Sequence, residues 1–539
     1  MDFLREASPF EGDVQLRSIS TGIVACDGVN ADTAREVGNK ILESMLGKTV
    51  QELIFKRKSQ IVQLNTKQSP GGVIKQLDSS LLFQRFLLIA RNGSISEEAR
   101  FKFELCSYPA ALFDRSFVFR KPNKPELLKA VMAAVSAEAT ICSRPVGCSF
   151  VLDGGALLHR IPWTVNETYA AVLDKYSDYV QFRYPGATVV FDGYENVPST
   201  KDMAHITRSR TVGKQTLFTK DMQLKVRKEE FLACKSNKQW FIDLLAEHLT
   251  NKNFTVRQAR ADADVLIVQT AIQQATSTET VLVGDDTDLF VLLCFHASTS
   301  GKQLYFSPEP KNGESAKAYN VGGVVQQLGS QVCKLLLFAH AVLRCDTTSR
   351  TYGIGKGVAV RKLIESKDFC QEAAVFLHQS QSPAQIQESG ERALCMLYGA
   401  PAGMNLNKYQ HSVFAEKVAL STSFVEPQQL PVTSAAAKFH SYRVYYQVQQ
   451  WTGNSLTMDA EEWGWKLRDG MLYPIMTDQP VAPVQLLTIV KCGCKGQCDS
   501  IKCSCRKNGL TCTVVCKVCK GMDCFNVEQF DDTIQSDGV

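Results

Sequence analysis

Thr280-Val281-Leu282-Val283-Gly284-Asp285-Asp286-Thr287-Asp288 is the stretch that decides the fold. Four β-branched or apolar residues without a polar interruption read as a strand buried on both faces, and a glycine with three acids behind it stops that strand. Two upstream stretches share the design: Ser149-Phe150-Val151-Leu152 ends at Asp153, and Thr188-Val189-Val190-Phe191 ends at Asp192. Helical periods lie between them. Trp240, Phe241, Leu244, Leu245 and Leu249 fall on one face behind Ser236 as a cap, and a further helix starting near Asp262 carries Val265, Val268 and Ile272. Strands alternating with helices predict an α/β fold with a parallel sheet. The carboxyl ends of such strands converge on one crevice, so Asp153, Asp192, Asp286 and Asp288 should meet there, with Asp262 and Asp264 at a helix start beside them. A lone strand-ending Asp is more often a turn former or helix cap; the repetition argues for a site. Clustered carboxylates repel one another unless cations bind, and hard oxygen ligands favour Mg2+ or Mn2+.

Outside this segment the chain is less explicit. Its 539 residues suggest three or four domains, and 45% hydrophobic with 21% charged residues describes a folded chain. The net charge of +5 is too small for a polycation argument, so any contact with nucleic acid must be local. The apolar run 335–343 is broken by His340 and is about half the length of a membrane span, so no membrane partner is expected. Residues 1–10 are mixed and charged, from which no secretory leader is read; a reducing compartment is expected, nuclear with cytoplasmic as the alternative. Residues 1–145 contain a helical stretch (31–45), a strand-like one (53–64) and a basic, proline-punctuated one (117–125), but no motif. Proline-rich stretches at 427–431 and 474–483 bracket Tyr442, Tyr445, Tyr446, Trp451, Trp463 and Trp465, which read as core aromatics.

Nine of the nineteen cysteines crowd together: Cys492, Cys494, Cys498, Cys503, Cys505, Cys512, Cys516, Cys519 and Cys524. The other ten have no regular spacing and read as small buried residues. A segment this short, with almost no large apolar side chains, cannot fold by burial, so metal must supply the folding energy. An odd count excludes a full set of disulfides. Three tetrahedral Zn2+ ask for twelve ligand positions, which nine thiolates fill if three sulfurs each bridge two ions.

With C-x-C at Cys492/Cys494 and Cys503/Cys505, C-x-x-C at Cys516/Cys519, and Cys524-Phe525-Asn526, the module resembles the tesmin-like CXC domain. The resemblance implies DNA binding. Lys491, Lys495, Lys502, Arg506, Lys507, Lys517 and Lys520 outnumber Asp499 and Asp523, although nine thiolates on three Zn2+ would offset much of that excess; a metal-held protein-interaction module is the alternative.

The segment 146–363 resembles the flap-endonuclease branch of the PIN-like nucleases. Its motifs come in order: Asp153-Gly154, Val190-Phe191-Asp192-Gly193, Asp262 and Asp264, Asp286 and Asp288, then Cys345-Asp346 with Gly353-Ile354-Gly355 behind. The resemblance implies that Asp153, Asp192, Asp262, Asp264, Asp286, Asp288 and Asp346 hold two divalent ions. It implies that Lys201 and Arg208, seven apart in a basic stretch, contact the scissile phosphate as catalytic residues. Gly353, Gly355 and Lys356 correspond to the glycine hairpin of a helix-two-turn-helix element, where backbone N–H groups and a lysine meet a DNA phosphate. The chain departs from the family at Asp262 and Asp264, where Glu is usual, and at Arg344, where Gly is usual. Arg344 is read as a further phosphate partner.

The expected organisation is an N-terminal region of unknown role (1–145), a PIN-like nuclease domain (146–345), a helical extension with the glycine hairpin (346–486), a CXC zinc domain (488–526) and an acidic disordered tail (527–539). The expected function is two-metal hydrolysis of phosphodiesters in structured or single-stranded DNA, of endonuclease or exonuclease type, targeted by the zinc module. RNA stays open as a substrate, and protein partners are not legible. The alternative is a non-enzymatic DNA-binding or chromatin protein on a silent PIN-like scaffold.

Overall fold

The structure, a computed structural model, describes residues 34–46, 102–104, 108–114, 117–120, 125–194, 198–201, 216, 218–297, 301–310, 316–420, 427–454, 458–468, 470–480, 492–495, 497–507, 512, 516–520 and 524–526. The chain forms two compact units. One comprises Tyr108–Tyr409 with Pro431–Pro480; the other comprises Met1–Ser107, Gln410–Leu430 and Val481–Val539. Arg208, Lys491, the strand-like stretch 53–64 and the tail 527–539 lie outside the described residues.

The larger unit is α/β, built on a mostly parallel sheet. Its strands are β1 (Ile141–Ser143), β2 (Ser149–Asp153), β3 (Thr188–Phe191), β4 (Thr255–Gln258), β5 (Thr280–Val283), β6 (Leu304–Ser307) and β7 (Lys317–Asn320), in the order β1-β7-β6-β5-β2-β3-β4. Strands β6, β5, β2, β3 and β4 run parallel, whereas β7 pairs antiparallel with both β6 and β1. The sheet therefore takes in residues on the N-terminal side of Val146. The chain builds outward from β2 to β4, then returns to lay β5 on the other side of β2. That reversal opens a crevice at the carboxyl ends of β2 and β5, where ligands bind in open α/β sheets.

The central strands read as buried because they are: Val189, Val190, Phe191, Val281 and Leu282 are fully enclosed. Helices flank them: α1 (Pro125–Ala133), α2 (Gly154–Arg160), α3 (Tyr169–Arg183), α4 (Lys235–Asn251), α5 (Asp264–Gln274), α6 (Thr287–His296), α7 (Ser330–Val342), α8 (Lys356–Glu365), α9 (Pro383–Tyr398) and α10 (Ser434–Trp451). Phe241, Leu245 and Leu249 of α4 join Tyr176 of α3 and Phe231 in one core cluster, each such side chain contributing about 1.5–3 kcal/mol on burial. Two details differ from the sequence reading. Ser236 falls inside the first turn of α4, whose cap position is Cys234, and Trp240 turns partly to solvent while Ile242 takes the inward place. Among the expected core aromatics, Tyr442, Tyr445, Trp451, Trp463 and Trp465 are buried, but Tyr446 reaches the crevice. Among the described residues no helix is long and apolar enough to cross a membrane.

Candidate metal crevice and cysteine module

Strand register brings the acids together. Leu152 pairs with Val283 and Asp153 with Val190, so the ends of β2, β3 and β5 release their acidic residues at one level. The result is a crevice of about 590 Å³ lined by Asp153, Asp192, Asp262, Asp264, Asp285, Asp286 and Asp346. Six of the seven acids expected from the sequence are in this set. Asp285 joins them, and Asp288 lies behind.

Several of these acids also cap helices, so the ordinary reading of a strand-ending Asp holds as well. Asp153 Oδ1 accepts the N–H groups of Gly155 (2.8 Å) and Ala156 (3.2 Å) at the start of α2. Asp286 Oδ1 accepts the Asp288 N–H at 3.1 Å to begin α6. Asp192 Oδ1 accepts the Ala263 N–H at 2.9 Å, which pins the start of α5 to the end of β3. The residue after Asp192 must be glycine, because a Cβ on Gly193 would collide with the carbonyl oxygens of Ala259 and Arg260.

Crowding shows in the protonation equilibria. Burial, then repulsion from Asp192, pushes Asp153 up to about 6. Burial and Asp262 raise Asp264 well above the ordinary carboxylate range, with Asp288 and Asp286 adding to the effect. The main counter-charge is Lys201, whose Nζ donates to Asp262 Oδ1 at 2.5 Å and Asp264 Oδ2 at 3.2 Å. Burial would lower the Lys201 pKa, but Asp262, Asp264 and Asp346 outweigh it and hold the ammonium charged. Lys235 and Lys238 line the rim, Lys238 Nζ standing 4.2 Å from the centre of the Tyr194 ring. The Tyr194 hydroxyl donates to Asp192 Oδ2 at 3.4 Å.

Of the expected nucleic-acid contacts, Lys356 and Arg344 are buried, and Gly355 of the hairpin lies against a carboxylate of α1. Lys356 is 2% exposed, and its Nζ donates to His340 Nδ1 at 2.9 Å rather than presenting charge at the surface. Arg344 is 6% exposed and does not line the crevice. Its backbone has φ 93°, a left-handed conformation that costs a non-glycine residue about 1–2 kcal/mol. The hairpin itself turns through Gly353 at φ 78°, but the space at Gly355 is taken: a Cβ there would collide with Glu126 Oε1 of α1.

Among the described residues of the cysteine module, the enclosed groups are sulfurs. Cys492, Cys498, Cys503, Cys505, Cys512, Cys516 and Cys519 are buried and Cys494 and Cys524 half-buried, while Ile501, Val518 and Phe525 face outward, Phe525 with 68% of its surface exposed. Four groups of four sulfurs lie within 4.8 Å of one another: Cys492/494/498/503, Cys498/512/519/524, Cys492/503/505/512 and Cys492/512/516/519. Cys505 and Cys516 are 3.5 Å apart. Soft, closely grouped thiolates fit zinc. Among the described residues such tight groups occur only here; the crevice carboxylates stand wider apart.

Of the residues missed from sequence, Asp285 had a visible signal, as a third acid at the same strand end. Tyr194 and Glu126 had none, because nothing local tells which way they face.

A family model described as a domain of unknown function, DUF8702, matches residues 1–104. No curated protein matches the chain. Among solved structures, the catalytic core of Rad2 in complex with DNA substrate is similar at 13% identity and TM-score 0.30, covering 60% of this chain and 94% of that one. The D15 protein of T5 co-crystallised with metal ions is similar at 12% identity and TM-score 0.28, covering 57% and 98%. A complex of the bacteriophage T5 D15 flap endonuclease with DNA and metal ions gives 12% and 0.27, covering 57% and 97%. The site stands on its own geometry.

Proposed function

We propose that the larger unit is a metal-dependent nuclease acting on structured or single-stranded DNA, and that the cysteine module, which resembles the CXC domain, is a zinc-held DNA-targeting element. The observation that carries the first part is the gathering of seven carboxylates at the switch point of the sheet with a lysine held against them. The all-oxygen, strongly anionic donor set fits Mg2+ or Mn2+. The wide spacing of the carboxylates suits ions that keep several of their waters.

Asp153, Asp192, Asp262, Asp264, Asp285, Asp286 and Asp346 would hold the ions, which when bound lower the pKa of an attacking water and offset charge on the leaving oxygen. Lys201 keeps its proton under the influence of the acids and so remains a cation beside the phosphate. Lys235 and Lys238 on the rim give the polyanion an entry, and Tyr194 holds Lys238 in place through its ring. Arg208 remains a proposed phosphate contact from its sequence position. RNA stays open, because metal-assisted hydrolysis does not itself read the sugar.

For the module, Cys492, Cys494, Cys498, Cys503, Cys505, Cys512, Cys516, Cys519 and Cys524 would hold the zinc, and nine thiolates would serve three Zn2+ if some sulfurs were shared. Lys495, Lys502, Arg506, Lys507, Lys517 and Lys520 supply the charge for DNA.

One observation favours a second reading, a silent scaffold that only binds DNA: Lys201 already satisfies Asp262 and Asp264 directly. A Mg2+-dependent cleavage assay on branched DNA, single-stranded DNA and RNA separates the two. Asp286→Ala should cut cleavage by on the order of 10³-fold while leaving nucleic-acid binding equal or tighter, since a negative charge is removed. Binding lost in proportion to cleavage, or no cleavage by the unaltered protein, would sink the nuclease reading.

A further inference from the structure

A second cavity, of about 400 Å³, opens beside the crevice and shares His159 with it. That volume lies in the range of ordinary ligand sites. Helix α2 connects the two: Asp153 caps its start in the crevice, and His159 and Arg160 end it about 10 Å further on. One wall of the second cavity is the chain between His159 and Val165; the other is the segment between Leu224 and Glu229, at the end of the basic stretch that contains Lys201. Backbone hydrogen bonds lace the two chains together, from Asn166 N–H to Leu224 O at 2.9 Å and from Leu224 N–H to Glu167 O at 2.8 Å. The groove is therefore formed before any ligand arrives.

Its lining holds three cations, Arg160, Arg227 and Lys228, against one acid, Glu229. Arg160 is turned towards Pro310 O and Glu309. The remaining basic residues of the stretch divide. Lys220 pairs with Glu247, and Lys225 bonds to Asn166 and Gln223; neither lines the cavity. Lys228 is half-buried, and its Nζ donates to the carbonyl oxygens of His159 at 2.8 Å and Ile161 at 2.9 Å. An ammonium has three hydrogens, so one remains for a ligand. Burial lowers the Lys228 pKa, a cost that an anion in the cavity would offset. Trp163 supplies the apolar side. Its Nε1 donates to the Tyr176 hydroxyl at 3.0 Å and its ring packs 4.6 Å from that of Phe241, so the part that lines the cavity is held rigid. Val165, 49% exposed, continues that surface.

We propose that this groove binds a single-stranded segment of DNA that runs out of the crevice past His159, with a phosphate at Arg227 and Lys228 and a base against Trp163. The inference rests on the nuclease reading, which brings the strand to the crevice. Cations beside a rigid aromatic and apolar wall match an unpaired nucleotide, which offers a phosphate and a base face together, whereas a duplex keeps its base faces inside the stack. At a rise of about 3.4 Å per stacked nucleotide, the length of α2 puts this contact about three nucleotides from the acids.

The test uses the full-length, zinc-loaded protein carrying Asp286→Ala, so that binding is read without cleavage. Single strands of about 4 to 16 nucleotides, the span of ordinary single-strand sites, carry 5-iodouracil for photo-crosslinking, and affinity is read by fluorescence anisotropy. Crosslinks should map to residues 159–165 or 224–229. Arg227→Ala should weaken binding of the longer strands about fivefold and lower its salt slope by about 0.7. Val165→Glu, which puts an acid in the lining, should weaken it likewise, and Glu229→Gln should tighten it. All three positions are exposed, so the fold should stand. Binding of a blunt duplex should respond to none of the three. Crosslinks that fall only elsewhere, a single-strand affinity that all three variants leave unchanged, or an equal response from blunt duplex overturns the inference. Unaltered protein that neither binds Mn2+ by calorimetry nor cleaves DNA overturns the nuclease reading instead, and the crosslinks and variants then decide the groove by themselves.

Discussion

Beneath the crevice acids, Val189, Val190, Phe191, Val281 and Leu282 are fully enclosed, whereas among the described residues of the cysteine module the enclosed groups are sulfurs, and Ile501, Val518 and Phe525 point outward. Both regions gather like-charged ligands, but they stand in opposite relation to the fold. The sheet is held by apolar burial, and its crowded carboxylates work against stability unless a cation offsets them. The described residues of the module enclose sulfurs rather than apolar side chains, so a bound cation would serve as its core.

The comparison breaks most visibly under chelation. Stripping zinc should remove about 10 kcal/mol or more from the module, unfolding 488–526 while the unit Tyr108–Tyr409 with Pro431–Pro480 stays intact. Circular dichroism with limited proteolysis would detect this, and native mass spectrometry should count three zinc ions beforehand. A module that resists proteolysis after chelation would mean that the two regions are stabilised alike.

A smaller effect sharpens the comparison from the other side. The Asp153 pKa rises from 3.8 to about 6 on folding, through burial first and Asp192 second. The folded state therefore holds that proton more tightly than the unfolded chain. The associated stability is present below 3.8 and lost as pH rises through about 6, at most about 3 kcal/mol. With chelator present, thermal unfolding should come at lower temperature at pH 7 than at pH 4.5 for this group's part, and Asp153→Asn should flatten that dependence. Added Mg2+ should stabilise the unaltered protein more at pH 7.5 than at pH 5, where the proton competes for the same oxygens. Equal Mg2+ stabilisation at both pH values would argue that Asp153 is not among the ligands.

The smallest expected effect is at the hairpin. Glu126 sits against Gly355 at the positive end of α8, and a single charge at a helix terminus is worth about 0.3–1 kcal/mol. Glu126→Gln should therefore tighten DNA binding by up to about fivefold at low salt, with the gain shrinking as salt rises. An unchanged affinity would show that nucleic acid does not approach the hairpin.

The sequence by itself determined the parallel α/β sheet, because runs such as Thr188-Val189-Val190-Phe191 carry their burial in their composition. It also determined most of the acid cluster, because strand ends in such a sheet converge whatever the loops do. The sulfur-held module was legible for a related reason: ligand count and spacing are local properties. Tertiary structure alone decided where side chains of mixed character point. Lys356 on a glycine hairpin reads as a phosphate contact, yet it is buried against His340, and Arg344 is buried beside Cys345. Glu126, more than two hundred residues away in sequence, occupies the seat beside Gly355. A long polar side chain reaches several ångströms from its own backbone, so its partner is set by packing between distant elements and leaves no periodic trace in the chain.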